Sequence, residues 1–151
     1  MRWLLFVLLS LAAVAAPNPA ASKDGSFTMT IPAEAQTLDN PNPSSMLNLV
    51  SATARALVVV TRSPSDGKTA AQLVKEIPKS MPWKISASKL GKVGGRQAAV
   101  FEASQVMKEY PNFKTVIGMV PVSKNLYIFQ VHYAQGNAAA YEKWLNGVKW
   151  R

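Results

Sequence analysis

The sequence predicts an α+β fold, in which an antiparallel β-sheet carries helices on both faces (an α/β/α sandwich). Strand-like runs follow one another through short turns, which is typical of hairpins and therefore of an antiparallel sheet. Several of these runs are apolar on both sides, so both faces of the sheet need a cover. Two amphipathic helical segments can provide it, and 151 residues suit a single domain.

The N-terminus has the pattern of an export signal. Arg2 precedes the apolar run WLLFVLLSLAAV, and the small residues AVA that end at Ala15 fit the specificity of signal peptidase. The run is shorter than the roughly 20 apolar residues that a membrane span needs. We therefore predict a signal peptide over residues 1–22, with cleavage after Ala15 or, as a second choice, at Ser22. Residues 23–151 then form one exported domain, in the periplasm or outside the cell.

The first part of the domain is predicted from alternation and from its prolines. Residues 17–25 (PNPAASKDG) have the composition of a flexible tether. Residues 26–31 (SFTMTI) alternate between polar and apolar side chains, which predicts a strand with one buried face that Pro32 stops. Residues 32–45 contain three prolines and are expected to form a loop.

A hairpin and a helix follow. Residues 46–50 and 56–61 are two apolar strands, and the second begins ALVVV, which predicts a strand covered on both faces. After a turn at residues 63–67, four apolar residues fall at helical spacing and share one face: Ala70, Leu73, Val74 and Ile77. Asp66 is expected to help start this helix, and Pro78 and Pro82 to end it.

The second half of the chain predicts two more hairpins and a closing helix. Residues 83–107 read as strand, turn and strand, and residues 113–122 and 126–133 as a hairpin with a three-residue loop. Asn137 is suited to cap the closing helix. The apolar stripe of that helix is Tyr141, Trp144, Leu145 and Val148.

The stretch KLGKVGGRQ (residues 89–97) combines three glycines with three cations, as a phosphate-binding loop would. It does not match such a loop, because a Walker motif needs G-x-x-x-x-G-K-[ST] and a helix behind it. Here Arg96 and Gln97 stand at the Lys-Ser positions and a strand-like run follows. Gly94 and Gly95 instead predict a tight hairpin turn, since glycine adopts positive φ at little cost.

The cations around this turn are the candidate binding residues. No acidic residue interrupts residues 79–101. Lys84 and Lys89 are an odd number of residues apart, so a regular strand would point them to opposite faces. A single basic stripe would therefore need a bulge, which Gly91 could provide. The stretch either contacts an anionic surface or consists of solvated cations that protect the hairpin from edge pairing. The candidates are Trp83, Lys84, Lys89, Lys92 and Arg96.

Composition narrows the possible functions. Of 17 basic residues only Arg2 lies in the predicted leader, so the domain carries 16 against 8 acidic residues, a net charge of +8. This excess favours anionic partners such as phospholipid head groups, envelope polymers or acidic proteins, although a basic exported protein can also be charged for solubility alone. Export makes nucleic acid a poor partner. The absence of cysteine excludes disulfides, a lipid anchor on cysteine, thiol catalysis and cysteine-ligated zinc.

His132, the single histidine, is the one candidate general base. No G-x-S-x-G elbow accompanies it, and the aspartates fall in predicted loops. Glu102 and Glu109 would serve as a carboxylate pair only if they shared a cleft. We therefore predict no catalytic residue, no cofactor and no metal site, since one histidine cannot make a histidine-rich site.

The order of these elements resembles the PsbP-like superfamily. The resemblance rests on DGSFTMTIPAEAQ, ALVVVTRS, TAAQLVKEIPKSM, VGGRQAAVFEAS, LYIFQVHYA and YEKWLNGVKW, which together run from about Ser26 to Trp150. The superfamily includes an extrinsic photosystem II subunit, a nuclear import factor that binds Ran, and DcrB-like bacterial envelope proteins. The resemblance implies an α/β/α sandwich used as a binding or assembly module, without an established catalytic centre. This chain lacks the lipobox cysteine of many bacterial envelope members.

These observations together predict an exported, non-catalytic binding or assembly module of the cell envelope. Its partner would be another envelope protein or an anionic polymer or lipid surface. The alternative is a small secreted hydrolase that uses His132 with an acidic residue.

Overall fold

The computed structural model describes residues 14–15 and 18–151, so most of the predicted leader lies outside the described residues. The strands are β1 (Val14–Ala15), β2 (Ala20–Ala21), β3 (Phe27–Met29), β4 (Gln36–Thr37), β5 (Ser45–Ser51), β6 (Ala56–Pro64), β7 (Lys84–Val93), β8 (Arg96–Ser104), β9 (Lys114–Val122), β10 (Asn125–Tyr133) and β11 (Val148–Trp150). The helices are α1 (Ala70–Ser80) and α2 (Ala138–Asn146).

Eight strands form one antiparallel sheet in the order β1-β4-β5-β6-β10-β9-β8-β7. The short strands β11, β3 and β2 form a second, three-stranded sheet in that order. Consecutive hairpins thus build most of the large sheet, as their short turns require. The predicted α+β class is confirmed.

The two helices cover opposite faces of the large sheet. Helix α1 packs on β7, β8 and β9, where its residues Leu73 and Ile77 join a cluster with Phe101 and Ile117. Helix α2 packs on the other face, where Leu145 joins the larger cluster around Phe129. Neighbouring residues of a strand point to opposite faces, so residues 98–101 alternate between the two clusters. The predicted helix on each face is confirmed.

The small sheet helps α2 to cover its face. Phe27 of β3 lies at the centre of an aromatic cluster, with its ring centroid 4.9 Å from that of Phe129 and 5.6 Å from that of Trp150. Tyr127 completes the cluster, 6.1 Å from Phe27. Aromatic pairs of this geometry add about 0.5–1.5 kcal/mol each beyond the area they bury. Strand β3 is shorter than predicted, and Thr28 between its apolar residues is buried too.

Both ends of helix α1 differ from the prediction. The N-cap is Thr69 and not Asp66: the Thr69 hydroxyl accepts from the Gln72 amide, and the Gln72 side chain accepts from the Thr69 amide. The helix also continues through Pro78 to Ser80. Proline has no amide to donate to the carbonyl four residues earlier. The hydroxyl of Ser88 on β7 donates to that carbonyl of Val74 instead, at 2.9 Å.

Strand β6 is less covered than its apolar sequence predicts. Ala56, Val58 and Val60 are buried against the α2 side, but Leu57 and Val59 on the other face are only half-buried. The prediction of a strand covered on both faces is therefore wrong for the α1 side. The reason is that α1 lies over β7, β8 and β9 and does not reach β6.

Helix α2 begins after Asn137, whose side chain accepts from the Ala140 amide at 3.2 Å, as predicted for this cap. The helix ends at Asn146, two residues before Val148, the last residue of its predicted apolar stripe. Val148 therefore belongs to strand β11, where it pairs with Met29.

The segment predicted as a tether, from residue 18 onwards, is part of the fold. Ala20 in β2 is buried, and the Asn18 side chain donates to the Ile31 carbonyl at 3.0 Å. Asp24 ties the segment to the large sheet, because it accepts from the Tyr127 hydroxyl at 2.7 Å and pairs with Arg62 at 3.0 Å. The tether prediction is wrong for these residues.

The carboxylate of Asp24 is held in its charged form. Partial burial opposes its ionisation, but hydrogen bonds from Ser26, Tyr127 and Ser22 outweigh burial and hold its pKa well below the usual range. The folded chain therefore keeps Asp24 charged at pH values at which the unfolded chain binds a proton.

We predict that Asp24→Asn lowers the free energy of unfolding at neutral pH by about 1–3 kcal/mol, because charge-assisted hydrogen bonds are lost. The stabilisation is fully present above the unfolded pKa of about 3.9 and is lost as the pH falls below it. Urea denaturation of both proteins across this range measures the difference. Asp39→Asn, at an exposed carboxylate, is the matched control. An equal effect of the two substitutions would contradict the prediction.

The glycine turn of the β7–β8 hairpin is confirmed. Gly94 and Gly95 connect the two strands and both have positive φ, 56° and 83°. The two glycines differ in their surroundings. A Cβ on Gly94 would lie 2.2 Å from the Val148 carbonyl oxygen, whereas a Cβ on Gly95 would meet nothing within 4 Å.

We predict that Gly95→Ala costs about 1–2 kcal/mol of stability, from backbone strain alone. Gly94→Ala should cost more, about 2–5 kcal/mol, because overpacking against β11 adds to the strain. Thermal or urea unfolding of the two variants provides the comparison. Equal losses would mean that β11 does not pack against this turn.

Candidate functional site

The tip of the β7–β8 hairpin carries two exposed cations, Lys92 and Arg96. The Arg96 guanidinium lies over the Trp150 ring, 5.2 Å from its centroid. Trp150 is fixed in turn, because its indole N–H donates to the Val93 carbonyl at 2.8 Å. A cation–π contact orients a guanidinium and leaves its charge available to an anion. The tip therefore presents at least one cation in a defined position.

Three further exposed cations lie at the same end of the sheet. Lys124 is in the β9–β10 turn. Strands β8 and β9 are antiparallel with Ala99 opposite Met119, so the β9–β10 turn lies level with the β7–β8 turn. Lys149 and Arg151 flank Trp150 at the chain end. We call the five cations at this end of the sheet the basic end: Lys92, Arg96, Lys124, Lys149 and Arg151. Lys92 and Arg96 point to opposite faces of the hairpin, because Lys92 pairs with Gln97 and Arg96 with Val93.

The basic end carries no internal compensation of its charge. Within the part of the chain that the structure describes, the ion pairs join Arg62 to Asp24, Lys68 to Asp66 and Glu76, and Lys89 to Glu142. None of them involves a residue of the basic end. Cations gathered at one end of a protein create a positive potential there and so favour binding of an anion.

The other candidates from the sequence lie elsewhere. Lys84 is exposed at the opposite end of β7, and Lys89 pairs with Glu142 on α2 at 3.1 Å. Trp83 is half-buried against the cluster under α1. The sheet register does shift in β7, but between Ile85 and Ala87 and not at Gly91.

That shift brings Lys84 and Lys89 to the same face of the sheet. They pair with Ser104 and Val100 of β8, which point to the α2 face. Lys92 pairs with Gln97 and therefore points to the α1 face. The five candidates thus do not form one surface.

His132 does not have the surroundings of a catalytic base. Its side chain is 2% exposed, and its Nδ1 lies 2.8 Å from the Thr115 hydroxyl. Burial lowers its pKa to about 4. Its one hydrogen-bond partner among the described residues is Thr115, so no serine–histidine–acid arrangement forms there.

The two glutamates considered in the sequence are also separate. Glu102 stands between Ala87 and Val116 on the sheet, and Glu109 is exposed in the loop at residues 105–113. The described residues contain no group of three or more His, Cys, Asp or Glu side chains that could hold a metal. In the same part of the chain no helix has the length and apolar character of a membrane span.

Sequence reasoning missed an apolar groove on the α1 side of the sheet. It has a volume of about 270 Å³, and its floor is formed by Leu57 and Val59, the half-covered residues of β6. Its other lining residues are Leu38, Asp39, Asn40, Asn48, Val50, Arg55, Ala56, Met107, Tyr110 and Phe113. The signal in the sequence was the apolar run of β6 together with the aromatic residues of the 105–113 loop.

We predict that the His132 imidazole stays neutral in the folded protein down to a pH of about 4. The unfolded chain binds a proton at this residue below about 6.5, so stability falls by about 2–3 kcal/mol as the pH decreases from about 6.5 to 4. Urea denaturation across this range tests it, and His132→Gln should remove most of the change. An imidazole NMR signal that titrates near the unperturbed value would contradict the prediction.

No family model matches the chain, and no curated protein matches its sequence. Solved structures do match. The solution structure of cyanobacterial PsbP (CyanoP) from Synechocystis sp. PCC 6803 superposes with a TM-score of 0.63 at 9% identity, over 91% of this chain and 94% of that chain. A crystal structure from Bacteroides thetaiotaomicron VPI-5482 gives a TM-score of 0.59 at 10% identity, over 92% of this chain and 48% of that one.

At such low identity the similarity establishes the fold and nothing finer. It covers nearly the whole described chain and agrees with the resemblance read from the order of elements. The chain has the PsbP-like fold.

Proposed function

We propose that the protein is an exported, non-catalytic binding module of the cell envelope, and that it contacts an anionic surface through its basic end. The observation that carries the proposal is the set of five exposed cations at one end of the sheet, without an ion-pair partner among the described residues. The resemblance to PsbP-like proteins implies the same class of role.

The way in which Arg96 is held supports binding over mere solubility. Cations that serve only solubility need no fixed position. Arg96, in contrast, lies on Trp150, and Trp150 is bonded to Val93 and packed on Phe27 in the core. Such preorganisation lowers the entropy cost of binding an anion.

The predicted export signal supports a location in the envelope. Phospholipid head groups and acidic polymers are the anionic surfaces that an exported protein meets there. An acidic face of another envelope protein would bind the same cations. Vesicle binding and protein capture distinguish these two kinds of partner.

We predict that Lys92→Glu/Arg96→Glu weakens binding to anionic vesicles by about 30-fold or more, because each cation near such a surface contributes about 1 kcal/mol. The protein is isolated after expression with its own leader. Co-sedimentation with vesicles of phosphatidylglycerol and phosphatidylcholine in equal parts measures the affinity. Binding should also decrease as salt is added.

Lys79→Glu/Lys108→Glu is the matched control, since it changes the charge equally at two exposed lysines away from the basic end. Equal weakening by both double variants would mean that net charge acts without a site. If the protein does not bind vesicles but retains one envelope protein from an extract at high salt, the partner is a protein and not a lipid surface.

A further inference from the structure

The floor of the apolar groove is the part of the large sheet that neither helix covers. Strand β6 lies inside the sheet, between β5 and β10, so the side chains on both of its faces are normally buried. Leu57 and Val59 point to the α1 side and remain half-exposed, although Val50 of β5 adjoins them. Apolar surface at this position is suited to an apolar ligand.

The roof of the groove contains a polar atom without a partner. Tyr110 and Phe113 of the 105–113 loop lie with their ring centroids 5.1 Å apart, and both line the groove. The Tyr110 hydroxyl is shielded from solvent, yet it has no hydrogen-bond partner in the part of the chain that the structure describes. Buried hydroxyls are nearly always hydrogen-bonded. An acceptor oxygen of a ligand would satisfy this one.

One end of the groove carries Arg55, and the Glu34 carboxylate accepts from the Ser51 hydroxyl at the start of the β5–β6 turn. Arg55 lies in the β5–β6 turn, exposed, and forms no ion pair with a described carboxylate. Its backbone is fixed at a φ of 48°, and its carbonyl accepts from the Ala134 amide at 3.1 Å. Lys114, the residue after Phe113, pairs with Tyr133 of β10, and Tyr133 pairs with Ala56 of β6. Phe113 is thus close to the level of Ala56, the residue after Arg55. The Tyr110–Phe113 pair is therefore at the same end as Arg55.

The opposite end holds Asp39 and, beside it, Lys23, whose ammonium donates to the Asn40 carbonyl. Strand β4 runs antiparallel to β5, and the Leu38 amide donates to the Asn48 carbonyl at 2.9 Å. Asp39 therefore lies beyond the level of Asn48, away from the β5–β6 turn that holds Arg55. The charges of Asp39 and Lys23 oppose each other at this end, so an anionic group would be attracted more strongly to Arg55, which forms no ion pair with a described carboxylate.

We propose that the groove binds a free medium-chain fatty acid. Its carboxylate lies between the Arg55 guanidinium and the Tyr110 hydroxyl, since one carboxylate oxygen can accept from each. Its acyl chain runs along Leu57 and Val59 towards Leu38. The volume of about 270 Å³ is just below the range of about 300–1,000 Å³ for drug-sized ligands, so one chain fits better than a phospholipid.

This site is distinct from the basic end. The groove lies beside the β5–β6 turn and the 105–113 loop, whereas the basic end surrounds the β7–β8 and β9–β10 turns. The two proposals can therefore fail independently of each other.

Titration with decanoate, below the concentration at which it forms micelles, tests the proposal on the protein isolated after expression with its own leader. Calorimetry should show saturable binding of one decanoate per chain. Amide NMR shifts should be confined to β5, β6 and the 105–113 loop. Decanol, which has the same chain without the charge, should bind about tenfold more weakly, because it loses the ionic hydrogen bond.

Arg55→Gln should weaken decanoate binding about tenfold and leave decanol binding unchanged, and Arg55→Lys should restore part of the loss. Tyr110→Phe should weaken it several-fold. Lys79→Gln, which removes one positive charge at an exposed lysine of α1, is the matched control and should bind decanoate like the parent protein. These positions are on the surface or in a loop, so the variants are expected to fold.

Three results would overturn the proposal. The first is the absence of saturable binding. The second is an equal loss in Arg55→Gln and Lys79→Gln, which would indicate general charge attraction. The third is NMR shifts that appear only with phospholipid vesicles, or away from the groove, which would indicate a lipid surface as the partner.

Discussion

A sheet of eight strands that is apolar on both faces needs more cover than helices of 11 and 9 residues can give. On the α2 side the two ends of the described chain supply the rest, because β2, β3 and β11 form a small sheet that places Phe27 and Trp150 on Phe129. On the α1 side no second sheet forms within the described residues. The loop at residues 105–113 closes this face in part, and the groove is what remains open.

The small sheet also forms the basic end. Strand β11 pairs with β3, and this pairing brings Trp150 beside the β7–β8 turn, where it bonds to Val93 and supports Arg96. Gly94 allows the close approach, because any side chain there would meet the Val148 carbonyl. The packing of the core and the position of the cations thus depend on the same contacts. In the same way, Asp24 joins the start of the domain to Tyr127 and Arg62 of the large sheet.

Much of the fold was accessible from local patterns, and the candidate site was accessible only in part. Alternation and turn chemistry predicted the hairpins, the Gly94–Gly95 turn and the Asn137 cap. Lys92 and Arg96 were found because they flank that turn. Lys124, Lys149 and Arg151 were missed, because their proximity to the turn depends on pairing between distant segments. Pro78 was misjudged for a similar reason, since its lost hydrogen bond is replaced by Ser88 from another element.

Neighbouring residues and composition were enough to establish the α+β class, the apolar faces of both helices, the tight turn and the excess of positive charge. The packing of distant segments was needed to show which cations lie at the same end of the sheet, that His132 is buried beside Thr115, and that Leu57 and Val59 lie under a groove. The physical reason is that burial and charge proximity depend on which distant segments pack together. A pattern of residues shows that a face is apolar, but the reach of the helices decides whether it is covered.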